Sequence, residues 1–137
     1  MDHAKMNVLI AEDNPGDVGL VADAFKQSGN GDFELMNAPS LESAMKFVSK
    51  KKVDAILLDL SLPLFLGLEP LARIHRLRPR IPIFVLSGYN DPELVSSAKQ
   101  MGAQDYIVKN HLDGDALVKK VRAAIDHRKK FSSRRES

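Results

Sequence analysis

Apolar residues recur along the chain in two alternating rhythms, short continuous runs and longer stretches in which they return every three or four positions. The run at 7–11 (Asn-Val-Leu-Ile-Ala), closed by Glu12-Asp13, has the pattern of a strand buried on both faces. Pro15 permits a helix start, and Val18, Val21 and Phe25 share one helical face up to Ser28-Gly29. Residues 33–38 alternate in part and predict a second strand. Ser40 is a suitable N-cap, with Ser43 expected to be too short to complete a capping box. Leu41, Ala44, Met45 and Val48 then keep helical spacing up to the lysine run 50–52, which reads as a solvated helix end. A third strand is predicted at 53–58, ending at Asp59, and Leu68, Leu71, Ile74 and Leu77 mark a helix that stops before Pro79. The fourth strand, 81–86, ends at Ser87-Gly88, and Asp91-Pro92 opens a helix that runs to about Met101 and stops at Gly102. Residues 105–109 form the fifth strand, followed by a helix from near Asp113 with Leu117, Val121 and Ile125 facing inward.

Five strand–helix units predict an α/β fold, a parallel sheet with helices on both faces joined by right-handed crossovers. In such open sheets the functional crevice lies beyond the carboxyl ends of the strands.

Length and composition narrow the picture. The 137 residues fit one domain, and 44% hydrophobic with 28% charged residues is the balance of a globular core with a solvated surface. No apolar run approaches the roughly 20 residues that span a bilayer, and the N-terminus leads straight into a strand-like run with no signal-peptide core. The absence of cysteine excludes disulfide scaffolds, thiol nucleophiles and Cys-based zinc sites, and fits a cytoplasmic setting. The net charge of +2 conceals an asymmetry: residues 119–137 carry +6 and the remaining 118 carry −4. No aromatic platform or groove-reading motif accompanies this basic end, so neither nucleic-acid binding nor membrane association is expected of it. Residues 129–137 are expected to form a disordered basic tail to a domain spanning 1–128.

The residues just past the apolar runs are Glu12-Asp13, Asp59, Ser87 and Lys109, so carboxylates, a hydroxyl and an ammonium should meet at one sheet edge. Three carboxylates held together repel one another unless a cation intervenes. A hard divalent ion such as Mg²⁺ suits these oxygen ligands better than zinc. Lys109 and Ser87 suit the oxygens of a phosphoryl group.

With these elements the sequence resembles the receiver domains of two-component response regulators over residues 6–128. The resemblance rests on Glu12-Asp13, on Asp59 followed by Leu62-Pro63 and Gly67, on Ser87-Gly88, on Gly102-Ala103 and on Tyr106-Ile107-Val108-Lys109. It implies a flavodoxin-like (CheY-like) doubly wound sheet with strand order 2-1-3-4-5, and a signalling protein rather than an enzyme. By the same resemblance Asp59 is the phosphoacceptor, receiving its phosphoryl group from a sensor histidine kinase or phosphotransfer protein. Asp13, Asp59 and the Ser61 backbone carbonyl would bind Mg²⁺, with Glu12 acting through water. Lys109 would bind the phosphoryl group, and Ser87 and Tyr106 would be the switch residues. Their movement, with Tyr106 turning inward, would alter the surface of the fourth helix, fifth strand and fifth helix and so control a downstream protein target. A homodimer is left open.

Several positions depart from the usual receiver pattern. Glu12 stands where Asp is commonest, Leu66 where an acidic residue often precedes Gly67, and Asn110 where Pro usually follows the lysine. Ser61 and Tyr89 occupy positions that tune dephosphorylation in the family. Two alternatives compete: a degenerate receiver that binds proteins without phosphorylation, and an aspartate-nucleophile phosphatase, against which Ser61 stands where a second Asp is needed. Residues after 128 are too few for an output domain, so a stand-alone receiver or one cut from a longer protein is expected. The Lys109–Asn110 peptide is expected to be trans, because a non-proline cis bond costs about 2.5–4 kcal/mol. Leu64-Phe65-Leu66 form an apolar loop tip, expected either to fold back on the domain or to meet a partner.

Overall fold

The structure, a computed structural model, describes residues 5–61 and 67–136, with backbone alone at His111 and 130–136. The apolar tip Leu64-Phe65-Leu66 lies outside the described residues. The predicted units appear in order as β1 (Met6–Ala11), α1 (Pro15–Ser28), β2 (Phe33–Ala38), α2 (Leu41–Lys50), β3 (Ala55–Asp59), α3 (Glu69–Leu77), β4 (Ile83–Ser87), α4 (Pro92–Gln100), β5 (Asp105–Val108) and α5 (Gly114–Glu136). All strand pairs are parallel and the sheet order is β2-β1-β3-β4-β5.

The side-chain alternation of each central strand divides the core into two layers. Leu9, Ile56, Leu58, Ile83 and Val85 point to the face covered by α2, α3 and α4, where they meet Leu41, Val48, Leu71, Ile74 and Ala98. Val8, Ile10, Leu57, Phe84 and Leu86 point to the other face, against Val21 and Phe25 of α1 and Leu117, Val121 and Ile125 of α5. Burial on both faces explains why these strands read as continuous apolar runs.

The local details depart from expectation in a few places. Ser40 does close a capping box: the Ser43 N–H donates to Ser40 Oγ and the Ser40 N–H donates to Ser43 Oγ, both at 3.1 Å. The extended backbone at Ser40 (φ −142°, ψ 162°) turns its N–H toward the first turn, so a short side chain suffices. Val53 and Ile81 are buried but precede their strands, which begin at Ala55 and Ile83. Lys109–His111 form a 3₁₀ turn after β5, and no peptide bond among the described residues is cis, so Lys109–Asn110 is trans as expected. The α5 backbone stays helical through Glu136, across the segment whose composition predicts fraying; cations at a helix C-terminus are favoured by its dipole. Gly102 adopts φ +110°, and a Cβ there would lie 2.7 Å from the His75 ring, so the turn into β5 needs glycine. No helix among the described residues is long and apolar enough to cross a membrane.

Candidate functional site

The strand register brings the predicted site residues to one edge. Ala11 pairs with Leu58, Asp59 with Leu86 and Ser87 with Val108, so Glu12, Asp59, Ser87 and Lys109 emerge at nearly one level. Glu12 and Asp59 are each 1% exposed. The β1 exit is pinned from β2: the Glu12 N–H donates to the Ala38 carbonyl at 3.0 Å, and Asn37 Nδ2 donates to the carbonyls of Ile10 (2.9 Å) and Glu12 (3.1 Å). Asn14 caps α1, accepting from the N–H groups of Gly16 and Asp17.

Lys109 is the hub of the site. Its Nζ lies 2.8 Å from Asp17 Oδ2, 2.9 Å from Asp59 Oδ2 and 3.4 Å from each Glu12 oxygen. Asp59 is further held by Ser61, whose N–H donates to Oδ1 at 3.0 Å and whose hydroxyl lies 2.9 and 2.8 Å from the two carboxylate oxygens. Burial pushes the Glu12 carboxyl up, its hydrogen bond to Asp59 and the Asp59 charge push it further, and Lys109 opposes them; the result is about 8. Burial also pushes Asp59 up, but hydrogen bonds from Glu12, the Ser61 N–H, Lys109 and the Ser61 hydroxyl outweigh it and hold the group below the usual carboxylate range. Burial pushes the Lys109 ammonium down, and its bonds to Asp17 and Asp59 together with the charges of Asp59 and Glu12 more than reverse this. Burial thus favours the neutral form of Glu12, while the hydrogen bonds around Asp59 favour its carboxylate form.

The acidic set differs from the expected one. Carboxylate oxygens of Glu12, Asp17 and Asp59 lie within 4.8 Å of one another. Asp13 is exposed and makes no hydrogen bond or ion pair among the described residues. Asp17, in the first turn of α1, is not among the residues singled out from the sequence, and acids there ordinarily serve the helix dipole. The signal for it was positional, since a helix starting at Pro15 aims its first turn at the crevice. These clustered oxygens, with no sulfur or imidazole among them, fit a hard divalent cation such as Mg²⁺.

Both predicted switch residues meet at Tyr89. Ser87 is 6% exposed and its Oγ accepts from the Tyr89 N–H at 3.2 Å. Tyr106 is 9% exposed and its hydroxyl donates to the Tyr89 carbonyl at 2.8 Å. The Tyr106 ring is therefore buried, with its hydroxyl held by the loop after β4. A cleft of about 610 Å³ opens over Asp59 and Lys109, lined also by Asp17, Leu20, Ser87 and Tyr89.

The family model for the response regulator receiver domain matches residues 8–122. A two-component response regulator of rice, ORR1, is 33% identical over 111 residues, 74% of this chain and 48% of that protein. The chain thus spans about half the length of that relative, and 37% of a protein-glutamate methylesterase/protein-glutamine glutaminase from Dechloromonas aromatica that is 31% identical over 131 residues, 88% of this chain. A CheY-like receiver domain protein from Methanospirillum hungatei superposes with a TM-score of 0.81 at 23% identity, covering 93% of this chain and 99% of that one.

Proposed function

Since the chain belongs to the response regulator receiver domain family, we propose that it is a phosphorylation-driven signalling switch whose phosphoacceptor is Asp59. The observation that carries this reading is the setting of Asp59: buried, lining a cleft, with Lys109 Nζ 2.9 Å away and hydrogen bonds that favour its carboxylate form. In the transfer, an Asp59 oxygen forms a bond to phosphorus while the bond from phosphorus to a donor histidine nitrogen breaks, giving an acyl phosphate. Lys109, now within reach of Asp17, Asp59 and Glu12, then bears on the phosphoryl oxygens and offsets their negative charge. Mg²⁺, when bound, offsets the charge on the transferring oxygens. Its ligands are proposed to be Asp13, Asp59 and the Ser61 carbonyl, with Glu12 through water and Asp17 as a further oxygen nearby.

The phosphoryl group carries about −1.5 to −2 charge beside Ser87 and Lys109, in place of the single charge of the Asp59 carboxylate. A Ser87 hydroxyl that turns to donate to the phosphoryl group releases the Tyr89 N–H, and the Tyr89 carbonyl is what Tyr106 holds. The charge event is thereby linked to the packing of the surface formed by α4, β5 and α5, which would present the change to a downstream protein. A sensor histidine kinase or a phosphotransfer protein is the proposed donor.

The test is intact mass after incubation with acetyl phosphate and Mg²⁺. One added phosphoryl group is expected on the wild type and none on Asp59→Asn; undiminished labelling of the variant, or acid-stable phosphate on a serine, would refute the assignment. In Mg²⁺ titrations Asp13→Asn is expected to lower affinity more than Asp17→Asn, because Asp17 is already engaged by Lys109 at 2.8 Å. The reverse order would assign Asp17 to the metal.

A further inference from the structure

We propose that the amino-terminal edge of the sheet, opposite Asp59, is a docking surface for an acidic protein segment carrying leucine-like side chains. The register creates this surface. Ile56 pairs with Ile83, so the connections entering β3 and β4 run side by side, and α2 and α3, which end in them, pack on the same face of the sheet. The lysine run 50–52 thereby comes level with Arg78 and Arg80, with Arg76 on the last turn of α3. All six side chains are exposed, and none has a carboxylate partner among the described residues. Asp54, the one acid close to them in sequence, is 3% exposed and its Oδ2 is taken by the Asn7 N–H at 2.8 Å. The other acids between residues 50 and 82, Asp59 and Glu69, lie at the far ends of β3 and α3.

Helix-end stabilisation accounts for little of this charge. Each helix C-terminus offers roughly half a negative charge, so two offer about one against six cations. The surplus is a standing positive field on a rigid platform. The His75 ring lies within 2.7 Å of where a Gly102 Cβ would be, so the end of α3 packs closely on the turn before β5. Apolar contact points are built into the same edge. Leu77, 40% exposed, sits between Arg76 and Arg78, and Met101, 37% exposed, precedes β5, whose Asp105 pairs with Phe84 next to Ile83.

Charge together with exposed aliphatic side chains favours a protein ligand over nucleic acid. No exposed aromatic ring on this edge could stack a base, and the exposed Tyr89 is at the opposite edge. Alternating acids and leucines would complement the arginines and lysines electrostatically and Leu77 and Met101 by contact. Because β3 and β4 separate this surface from the Asp59 cleft, such a partner could be held while the phosphorylation site remains open.

The probe is a fluorescein-labelled peptide of repeated Glu-Leu-Asp triplets, titrated with the full chain and followed by anisotropy. Saturable binding that weakens as salt is raised is expected. Changing Lys50, Lys51 and Lys52 to Gln, or Arg76, Arg78 and Arg80 to Gln, should each weaken binding about tenfold, the size of losing three exposed ion pairs. Leu77→Ser should weaken the leucine-containing peptide and leave polyglutamate binding unchanged, and all variants should keep the wild-type melting temperature. Absence of saturable binding, indifference to both triple changes, or tighter binding of a single-stranded oligonucleotide or of phosphatidylserine vesicles would overturn the proposal.

Discussion

Glu12, Asp59 and Lys109 at one edge of the sheet and Lys51, Arg78 and Arg80 at the other all lie at or just beyond the ends of parallel strands. In the first group Glu12 and Asp59 are buried, and the half-buried Lys109 ammonium reaches their carboxyl oxygens at 2.9–3.4 Å. Their protonation states are set by their neighbours, so each residue depends on the others. In the second group the charges are of one sign, exposed and separated by solvent. The difference teaches where electrostatics can do chemistry. Buried, opposed charges are held ready for a reaction at a defined atom, whereas exposed charges of one sign supply a field to an approaching partner.

The largest test of this contrast removes the cation at the buried edge. Lys109→Ala leaves Glu12, Asp17 and Asp59 without their shared ammonium, and a loss of about 3–5 kcal/mol is expected in metal-free urea unfolding. Added Mg²⁺ should restore much of it. A loss below about 1 kcal/mol would show that the ammonium does not hold the cluster together.

The pH dependence of the metal-free protein comes next. Glu12 titrates at about 8 in the folded chain against an ordinary 4.5, so folding retains a proton that the unfolded chain releases between these values. Its contribution is fully present below about 4.5 and is lost as pH rises toward about 8. Asp59, held below its ordinary 3.8, has the opposite sign: its contribution is present above that value and is lost as pH falls through its folded pKa. The melting temperature should therefore decline from about pH 5 to about pH 8 and flatten in Glu12→Gln, while Mg²⁺ should stabilise more at the higher pH. An unaltered slope in Glu12→Gln would remove Glu12 as its source.

A smaller effect is expected at Asn37. Asn37→Ala removes two hydrogen bonds to the β1 exit and should cost about 1–2 kcal/mol while lowering Mg²⁺ affinity. Unchanged affinity would restrict Asn37 to holding β1 and β2 together. At the exposed edge Arg78→Gln should change stability by no more than about 0.5 kcal/mol, as judged by urea midpoint. A larger loss would mean that Arg78 has a structural partner.

The sequence disclosed most of the fold because the central strands are buried on both faces and write continuous apolar runs, while the helices cover one face each and write a 3.6-residue rhythm. Glu12, Asp59, Ser87 and Lys109 could be gathered in advance because a parallel sheet sends all its carboxyl ends to one side. The details that escaped depend on direction rather than position. The Ser40–Ser43 box closes because of the backbone angles at Ser40, which residue type alone does not specify.

Sequence by itself determined which side of the sheet carries the acids and the lysine, since strand polarity and residue order leave no alternative. Tertiary structure decided which acid Lys109 engages. Asp17 and Lys109 are ninety-two positions apart, and only the packing of α1 beside the β5 exit brings them to 2.8 Å. It also decided that Asn37 braces the β1 exit and that Ser87 and Tyr106 both hold the backbone of Tyr89, because these contacts cross between strands and loops whose separation in sequence carries no signal. The same holds for the basic edge. Two helix ends, the first of which reads by itself as a solvated terminus, become one surface because the register of β3 and β4 sets them side by side.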